Sequence, residues 1–360
     1  MNVAPHPFRS AAAALLLTAA PFAWPVSALP ACTAGEPGAD PAFSWQVPPA
    51  GSRSPFALGA GAPVFGGGSP ADCSDTASNP SAIYDPGPLH TIPVVVHIIQ
   101  NGACTQGVIS DALVASQIAV LNEDFGALPG TPGAGGTDTG IRFALAATDP
   151  QGQPTTGITR HCNNTWFNDQ TSVSPYYDTI AWDPARYLNL YTNSANGARG
   201  YVPFLPAANP AAIGSNADRV VINWQAFGRP GPVPAHAGGR TATHEIGHFF
   251  GLFHVYYNGC GNASAPQCYS TGDTLCDTPQ DDTSHQGCMT GGTSCGGVPI
   301  PAWNYMELSD DSCLTGFTPE QARRLRCTIA HYRTGLAGAS PLFGDGFETG
   351  DASHWSAASP

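Results

Sequence analysis

HEIGHFFGLFH, residues 244–254, places two histidines and a glutamate in the order H-E-x-x-H. If this stretch is helical, residues four apart lie on one face, so His244 and His248 can present two imidazoles to one metal ion. Glu245 projects beside that pair and remains available to transfer a proton. Two histidines at this spacing, with the intervening glutamate, predict a catalytic metal site on a helix.

A glycine and a third histidine extend the motif to H-E-x-x-H-x-x-G-x-x-H. Gly251 permits the positive φ with which helices end, so the chain can turn and bring His254 toward the same point. Three neutral imidazoles leave the fourth tetrahedral position of Zn²⁺ open for water, which distinguishes a catalytic site from a structural one. The alternative is that these histidines are hydrogen-bonded core residues, and the additional glycine and histidine argue against it.

The composition restricts the possible partners. The chain has 360 residues, enough for one large domain or two small ones, and its formal net charge is −13. All 13 basic residues are arginines, against 26 acidic residues. This excess of negative charge argues against nucleic acid or an anionic membrane as a partner.

Residues 1–28 have the pattern of a secretory signal peptide. Arg9 supplies the positive charge, residues 11–20 are apolar, and Val26-Ser27-Ala28 forms a small-residue cleavage site. No later segment reaches the ~20 apolar residues that span a bilayer. We therefore predict a secreted, extracellular protein whose 11 cysteines form disulfides, with at least one cysteine left over.

Composition divides the rest of the chain into three segments. Residues 29–88 are rich in proline, glycine, alanine and serine and lack periodicity, which predicts a poorly ordered propeptide or else a plain linker. Residues 89–335 have the strand and helix patterns of a catalytic domain. Residues 336–360 form a C-terminal tail, whose acidic residues either bind calcium or are simply solvated.

Regular structure is predicted mainly before residue 255. Ile92 to Ile99 is a β-branched run typical of a buried strand, and Ser110 is placed to cap a helix ending near Phe125. Further strands are predicted at residues 141–147, 187–192 and 219–224, with an edge strand at 200–204, the motif helix at 241–250, and a last helix from Thr318 to about Tyr332. Six cysteines between residues 255 and 315 predict a loop-rich half held by disulfides.

Segments beyond the histidine motif resemble the pappalysin family of metzincin metalloproteases, particularly its bacterial cytophagalysin-like branch. The histidine motif itself is the metzincin signature. The resemblance covers about residues 89–335. The other matching pieces include GRTAT at 239–243, DTP at 277–279, GC at 287–288, NYM at 304–306, DDSC at 310–313, FTP at 317–319, and residues 92–97, 121–125 and 157–160.

This resemblance implies an α/β (α+β) metzincin-type zincin with two lobes. A mixed twisted sheet and the active-site helix form the upper lobe, and the lower lobe is irregular, disulfide-stapled and closed by a C-terminal helix. Zinc would lie at the floor of the cleft, with the substrate antiparallel to an edge strand. Met306 would support the histidines from below without binding the metal. Leu308 stands where many relatives carry a tyrosine that hydrogen-bonds the developing oxyanion.

The resemblance also implies two disulfides, Cys260–Cys288 and Cys295–Cys313. It further implies structural calcium in the loops between about residues 260 and 279, with solvated acidic loops as the alternative. The candidate oxygen ligands are Asp273, Asp277, Asp281 and Asp282.

The other cysteines allow only guesses at pairing. Cys104 with Cys162 would tie two loops of the upper half, and Cys268 with Cys276 would close a small loop. Cys32, Cys73 and Cys327 remain. Either Cys73 or Cys32 is a candidate for a propeptide thiolate that inhibits the zinc, and a disulfide between these two is the alternative.

These observations predict a secreted zinc metalloendopeptidase acting on protein or peptide substrates. Glu245 would take the proton of the attacking water as general base and pass it to the leaving amine as general acid. One alternative is a non-catalytic zinc-binding or adhesion module, which gives no reason for an intact Glu245. The other is a hydrolase of a non-protein ester or amide. His97 and His331 are predicted to be core or surface histidines.

Overall fold

The computed structural model describes residues 68–87 and 89–336, so the predicted signal peptide, most of the leader and the tail lie outside the described residues. The strands are β1 (His90–Gln100), β2 (Ile141–Leu145), β3 (Ile158–Cys162), β4 (Leu188–Asn193), β5 (Gly200–Tyr201), β6 (Val220–Asn223), β7 (Thr293–Ser294) and β8 (Val298–Pro299). The α-helices are α1 (Asp111–Phe125), α2 (Asn164–Phe167), α3 (Tyr177–Ile180), α4 (Arg240–Phe249) and α5 (Pro319–His331).

A six-stranded mixed sheet is built around β1. Along one side β1 pairs first with β2 and then with β3, and along the other it pairs with β4, always in parallel. Strand β6 continues the sheet beyond β4, and β5 closes it in the antiparallel direction. Because parallel strands are covered on both faces, they favour continuous apolar runs such as the one from Ile92 to Ile99. The predicted mixed sheet is confirmed.

The edge strand β5 is shorter than the sequence predicts. It contains only Gly200 and Tyr201, which pair with Ile222 and Val221 of β6. Strand pairing does not continue through the predicted range to residue 204, where Pro203 has no N–H to donate to a ladder. The short edge lies beside helix α4 and therefore bears on the active site.

Helices α1 and α4 pack together on the sheet and bury the main core. Ser110 accepts a hydrogen bond from the Leu113 amide and caps α1 as predicted. Val96 of the sheet, Leu121 of α1 and Ile246 of α4 all belong to this core and are fully buried. Within residues 68–87 and 89–336, no helix is both long and apolar enough to cross a bilayer.

Strand β3 was not predicted as a strand. Its sequence Ile-Thr-Arg-His-Cys contains three polar residues, and the strand is partly exposed throughout because it lies at the side of the sheet. Strand β3 pairs with the second half of β1, where Val96 lies opposite Ile158 and Gln100 opposite Cys162. An exposed strand lacks the apolar pattern on which prediction depends.

The half of the domain after residue 254 is irregular, as predicted. Its regular elements are the two-residue strands β7 and β8, a short 3-10 helix at Gln267–Ser270 and helix α5. Thr318 and Gln321 form a capping box at the start of α5. A buried ion pair between Arg333, just after α5, and Asp218, just before β6, links this half to the sheet, with Nη2 2.8 Å from Oδ1.

The two disulfides implied by the family resemblance are wrong in their pairing. The structure joins Cys260 to Cys295 and Cys288 to Cys313, with Cα separations of 5.3 and 5.7 Å. The physical reason is a parallel β-bridge between Gly287 and Ser309, which aligns the two segments and brings Cys288 beside the loop that ends at Cys313. The guessed disulfides Cys104–Cys162 and Cys268–Cys276 are confirmed.

Residues 68–87 differ from the poorly ordered leader that the sequence predicts. This segment contains two short 3-10 helices and packs on α5. Cys73 is bonded to Cys327 of α5, so it is neither an inhibitory thiolate nor a partner of Cys32, which lies outside the described residues. The buried Arg324 donates to the Ser74 carbonyl and to Ser78. Composition alone did not reveal these contacts, because they are made with residues some 250 positions away.

Candidate active site

Helix α4 brings three histidine nitrogens to one point. His244 and His248 lie one helical turn apart, and His254 approaches from the segment after the helix. The Nε2 atoms of His244, His248 and His254 are each 3.1 Å from the other two. Nitrogen ligands about 2.1 Å from a tetrahedral zinc lie roughly 3.4 Å apart, so the triangle is close to the size that zinc requires.

The turn after α4 depends on Gly251, as predicted. Its φ is +90°, and its amide donates to the His248 carbonyl at 2.8 Å. The next amide, that of Leu252, donates to the Gly247 carbonyl at 3.0 Å, which closes the helix end. A Cβ on Gly251 would also lie 2.6 Å from Thr328 Oγ1 of α5. Glycine is therefore needed here both for the backbone angle and for the helix contact.

Carbonyl oxygens fix the tautomers of two of the histidines. His244 Nδ1 lies 2.7 Å from the Tyr305 carbonyl oxygen, and His248 Nδ1 lies 2.7 Å from that of Leu252. Each Nδ1 must donate its proton there, so each Nε2 presents a lone pair to the centre of the triangle. Burial lowers the pKa of His244 to about 4 and that of His248 well below its usual value. Neutral imidazoles with converging lone pairs fit a cation at this point.

Glu245 lies against the edge strand β5 and is 6% exposed. A Cβ built on Gly200 would lie 2.8 Å from Glu245 Cγ and 3.0 Å from the Val221 carbonyl oxygen. Only a glycine at this position allows the glutamate to pack so closely on the strand. No local pattern predicts this contact, since the two residues are far apart in the chain.

Gly200→Ala is therefore expected to displace Glu245 and to lower kcat about 10²-fold, since misplacing a catalytic group by about 1 Å costs that much. Bound metal should be unchanged, because the histidines do not contact Gly200. Gly87→Ala is the matched control, since its Cβ would lie 3.5 Å from the nearest atom, Arg326 Nη2. Steady-state kinetics on a peptide substrate with metal analysis make the comparison. A Gly200→Ala enzyme with unchanged kcat contradicts the prediction.

Met306 is fully buried beneath α4. A Cβ on Gly247 would lie only 2.5 Å from Met306 Sδ, so the thioether fills the space left by the missing side chain. The Tyr305 carbonyl, one residue earlier, holds His244. The methionine thus packs against the motif helix, and its neighbour holds His244.

A buried carboxylate connects several segments of the family pattern. Asp124, in α1, accepts hydrogen bonds from Thr243 Oγ1 and from the Tyr305 hydroxyl, each at 2.7 Å. Arg240 lies 3.4 Å from the same carboxylate and donates to the Asp311 carbonyl at 2.7 Å. Burial raises the pKa of Asp124, and the arginine and hydroxyl donors oppose that rise. One hydrogen-bond network therefore joins four segments of the family pattern, at residues 121–125, 239–243, 304–306 and 310–313. This network positions the motif helix.

Sequence reasoning missed Arg199, which precedes the edge strand. Its Nη1 donates to the Leu308 carbonyl at 3.3 Å. Burial is the main cause of the low pKa of His244, and the positive charge of Arg199 contributes to it. This arginine is thus a cation that disfavours protonation of His244, and no local motif identifies it.

The four aspartates proposed as calcium ligands do not converge on one point. Asp277 instead accepts from Thr318 Oγ1 and from the Glu320 amide at the start of α5. Asp282 accepts from Ser294 Oγ, and Asp281 faces His285. Asp273 alone is a buried residue on a small cavity in the loops after the histidines.

The remaining candidate histidines have ordinary structural partners. His97 is fully buried in β1 and is hydrogen-bonded to Thr159 and Asn189. His331, at the end of α5, lies 2.9 Å from the Tyr84 hydroxyl. The prediction that both are core or surface histidines is confirmed.

The parallel sheet with its antiparallel edge, the three converging histidines and the buried methionine define a metalloprotease of the metzincin type. The chain belongs to the pappalysin family, peptidase M43. The family model described as pregnancy-associated plasma protein-A matches residues 158–330. The fungal relative from Colletotrichum graminicola, named extracellular metalloprotease, is 32% identical over 248 residues, which are 68% of this chain and 77% of the relative. A relative of the same name from Arthroderma gypseum is 33% identical over 239 residues, or 66% and 71% of the two chains.

Solved structures support the same assignment. Mirolysin in complex with compound 9 matches with a TM-score of 0.60 and 32% identity, over 71% of this chain and 98% of that chain. Mature mirolysin of Tannerella forsythia in complex with a cleaved peptide matches with a TM-score of 0.55 and 32% identity, over 70% and 99% of the two chains. The predictions of a zinc metalloendopeptidase, of a metzincin-type fold and of an extracellular location are confirmed.

Proposed function

We propose that His244, His248 and His254 hold one catalytic zinc ion and that Glu245 is the general base and general acid of peptide hydrolysis. The convergence of the three Nε2 atoms at mutual distances of 3.1 Å carries this proposal. Neutral imidazole is the form that binds zinc, and a set of three leaves room for the reactants.

A zinc ion held by the three histidines would lower the pKa of a bound water toward ~7 and polarise the scissile carbonyl. Glu245 accepts the proton of the attacking water and then donates it to the nitrogen of the leaving amine. Its position between α4 and β5 keeps the carboxylate beside the histidines while burial excludes bulk water. Besides burial, the positive charge of Arg199 helps to keep the pKa of His244 low, so that His244 stays neutral.

Substrate binding is proposed along β5. This strand is the end of the sheet order and is antiparallel to β6. An extended peptide can add to such an edge through main-chain hydrogen bonds. Because Gly200 belongs to this strand and touches Glu245, the same two residues would place both the peptide and the proton carrier.

The zinc assignment predicts a defined metal loss. His248→Ala should lower the zinc content of the full-length protein by one ion per chain and abolish peptide hydrolysis. His161→Ala is the control, because this half-buried histidine is hydrogen-bonded to Thr159 and lies outside the triad. Elemental analysis with a casein zymogram, run with and without a chelator, measures both effects. An unchanged zinc content in the His248 variant would remove the triad from consideration.

A structural calcium ion is proposed near Asp273. Its Oδ2 atom is buried and has no hydrogen-bond partner in the described part of the chain. Burial raises the pKa of this carboxyl to about 7. The adjoining cavity, lined also by Asn262 and Thr278, measures about 10 Å³. A cavity of this size holds about one water molecule or one ion. A cation bound there would satisfy the unpaired oxygen, and surrounding loop carbonyls are ligands that calcium accepts.

The propeptide role of residues 29–88 stays a prediction. Promirolysin, a proenzyme form by its name, is among the matching structures, with 31% identity and a TM-score of 0.60. In this chain, cleavage near Leu89 would leave the segment around Cys73 attached to α5 through the disulfide with Cys327. We therefore propose that any removable segment ends before Gly68.

A further inference from the structure

Three side chains outside the histidine triad form a second cluster with the chemistry of a metal site. Asp281 Oδ2 lies 3.1 Å from His285 Nδ1, and Glu307 Oε2 lies 4.0 Å from the same nitrogen. All three atoms lie within 4.8 Å of one another. We propose that Asp281, His285 and Glu307 bind a second divalent transition-metal ion, zinc in the first instance, that is distinct from the ion of the histidine triad.

The cluster is buried and its inward-facing atoms lack partners. The Asp281 and Glu307 side chains are 0% exposed, and that of His285 is 13% exposed. Among the described residues, neither Oδ2, nor Nδ1, nor Oε2 has a hydrogen-bond partner. Although Nδ1 and Oδ2 are 3.1 Å apart, they are not aligned as a hydrogen bond. Buried polar atoms are nearly always satisfied, so three that face one another require a ligand.

The outward-facing atoms, in contrast, are held by the backbone. Glu307 Oε1 accepts from the His285 amide and from the Leu308 amide, each at 2.8 Å. Asp281 Oδ1 accepts from the Asp282 amide at 2.8 Å. These bonds fix both carboxylates so that their second oxygens point into the cluster. Outer hydrogen bonds that orient ligands in this way are characteristic of metal sites.

The donor set indicates which ion fits. One imidazole nitrogen and two carboxylate oxygens suit zinc and related transition metals. Calcium prefers six to eight oxygen ligands and is poorly served by an imidazole. Two buried carboxylates also repel each other, and a divalent cation between them offsets both charges. The cluster therefore matches zinc better than calcium or a lone ion pair.

A metal here would fasten the segment that supports the catalytic histidines. Asp281 and His285 belong to a loop without regular structure, and Glu307 directly follows Met306. Tyr305, on the other side of the methionine, holds His244 through its carbonyl oxygen. The second ion would thus join this loop to the segment around Met306. In this way it would help to position His244. The site stands on its own residues and does not depend on the proposed role of the triad.

Zinc content per chain tests the proposal on the full-length protein, dialysed with a small excess of zinc. The wild type should bind two zinc ions, and His285→Ala and Glu307→Gln should each bind one. Asp282→Asn is the matched control, because this neighbouring carboxylate faces Ser294 instead of the cluster, and it should keep two. His248→Ala should also bind one, and the double variant with His285→Ala should bind none.

Two outcomes overturn the second site. One is a wild type that binds a single zinc ion which His285→Ala does not reduce. The other is a cluster variant with full zinc content and an altered preference for peptide side chains, which would make the cluster a substrate pocket. If a cluster variant fails to fold, the His248→Ala protein still decides the question, since it retains one zinc ion only if a second site exists. Failure of the triad assignment would instead appear as unchanged zinc in His248→Ala.

Discussion

Glu245→Gln should lower kcat by about 10²–10⁴-fold, the usual contribution of general acid–base catalysis. The substitution preserves the shape of the side chain and its packing on Gly200, but the amide cannot accept the proton of the attacking water. The three histidines and their carbonyl partners are untouched, so the zinc content should equal that of the wild type. Stopped assays on a fluorogenic peptide, combined with elemental analysis, measure both quantities on one preparation.

The control for Glu245→Gln is the same substitution at a glutamate outside the active site. Glu123→Gln is suitable, because Glu123 lies in α1 and its carboxylate pairs with Arg229, outside the histidine triad. It should leave kcat within a factor of about two, since its carboxylate is bonded to Arg229 and not to a residue of the histidine triad. Near wild-type activity in Glu245→Gln would mean that another group carries the proton. A loss of zinc in the same variant would mean that Glu245 acts on the metal site instead.

Leu308→Tyr is expected to raise kcat by up to about a hundredfold with little change in KM. The family resemblance places a hydrogen-bond donor to the developing oxyanion at this position, and one such donor contributes roughly 10²–10³ in kcat. Leucine has no donor. In this chain the Leu308 carbonyl accepts from Arg199, and its amide donates to Glu307, so the backbone of the residue is fixed on both sides. The backbone that would carry the tyrosine side chain is therefore already fixed.

The Leu308→Phe variant distinguishes the effect of the tyrosine hydroxyl on kcat from the effect of its aromatic ring. Both aromatic variants change the packing at this half-buried residue, but only tyrosine supplies a donor. We expect kcat to rise in the tyrosine variant alone. Equal kcat values in the two variants, with zinc retained, would show that residue 308 does not face the oxyanion here. The implied role of this position would then not apply to this chain.

The parts of the site that could be predicted are those encoded locally. The spacing of His244 and His248, the cap at Ser110 and the helix end at Gly251 depend on residues within a few positions of one another. The family resemblance supplied Met306. The contact of Gly200 with Glu245 and the cluster of Asp281, His285 and Glu307 could not be predicted, because each joins side chains that meet only in the folded chain.

The prediction of how the cysteines pair failed for a similar reason. The number of cysteines and the secreted context predict disulfides, but the crossed pairs Cys260–Cys295 and Cys288–Cys313 follow from the bridge between residues 287 and 309. For residues 68–87, the prediction of a poorly ordered segment was wrong. Its composition is typical of a disordered segment, yet part of it is held by one disulfide and by the buried Arg324. A composition rich in glycine and proline does not exclude order where a disulfide and buried hydrogen bonds provide it.

The disulfide between Cys73 and Cys327 encloses nearly the whole described domain in one covalent ring, with a sequence separation of 254 residues. An extracellular protease is surrounded by active copies of itself, and its exposed loops are the natural sites of nicking. A single cut inside this ring changes a closed loop into an open one but releases no fragment. The two ends created by the cut stay at high effective concentration, so the nicked domain can refold as one molecule. The bond thus gives the enzyme tolerance to autolysis, and nicked molecules would migrate as one species until a reductant is added.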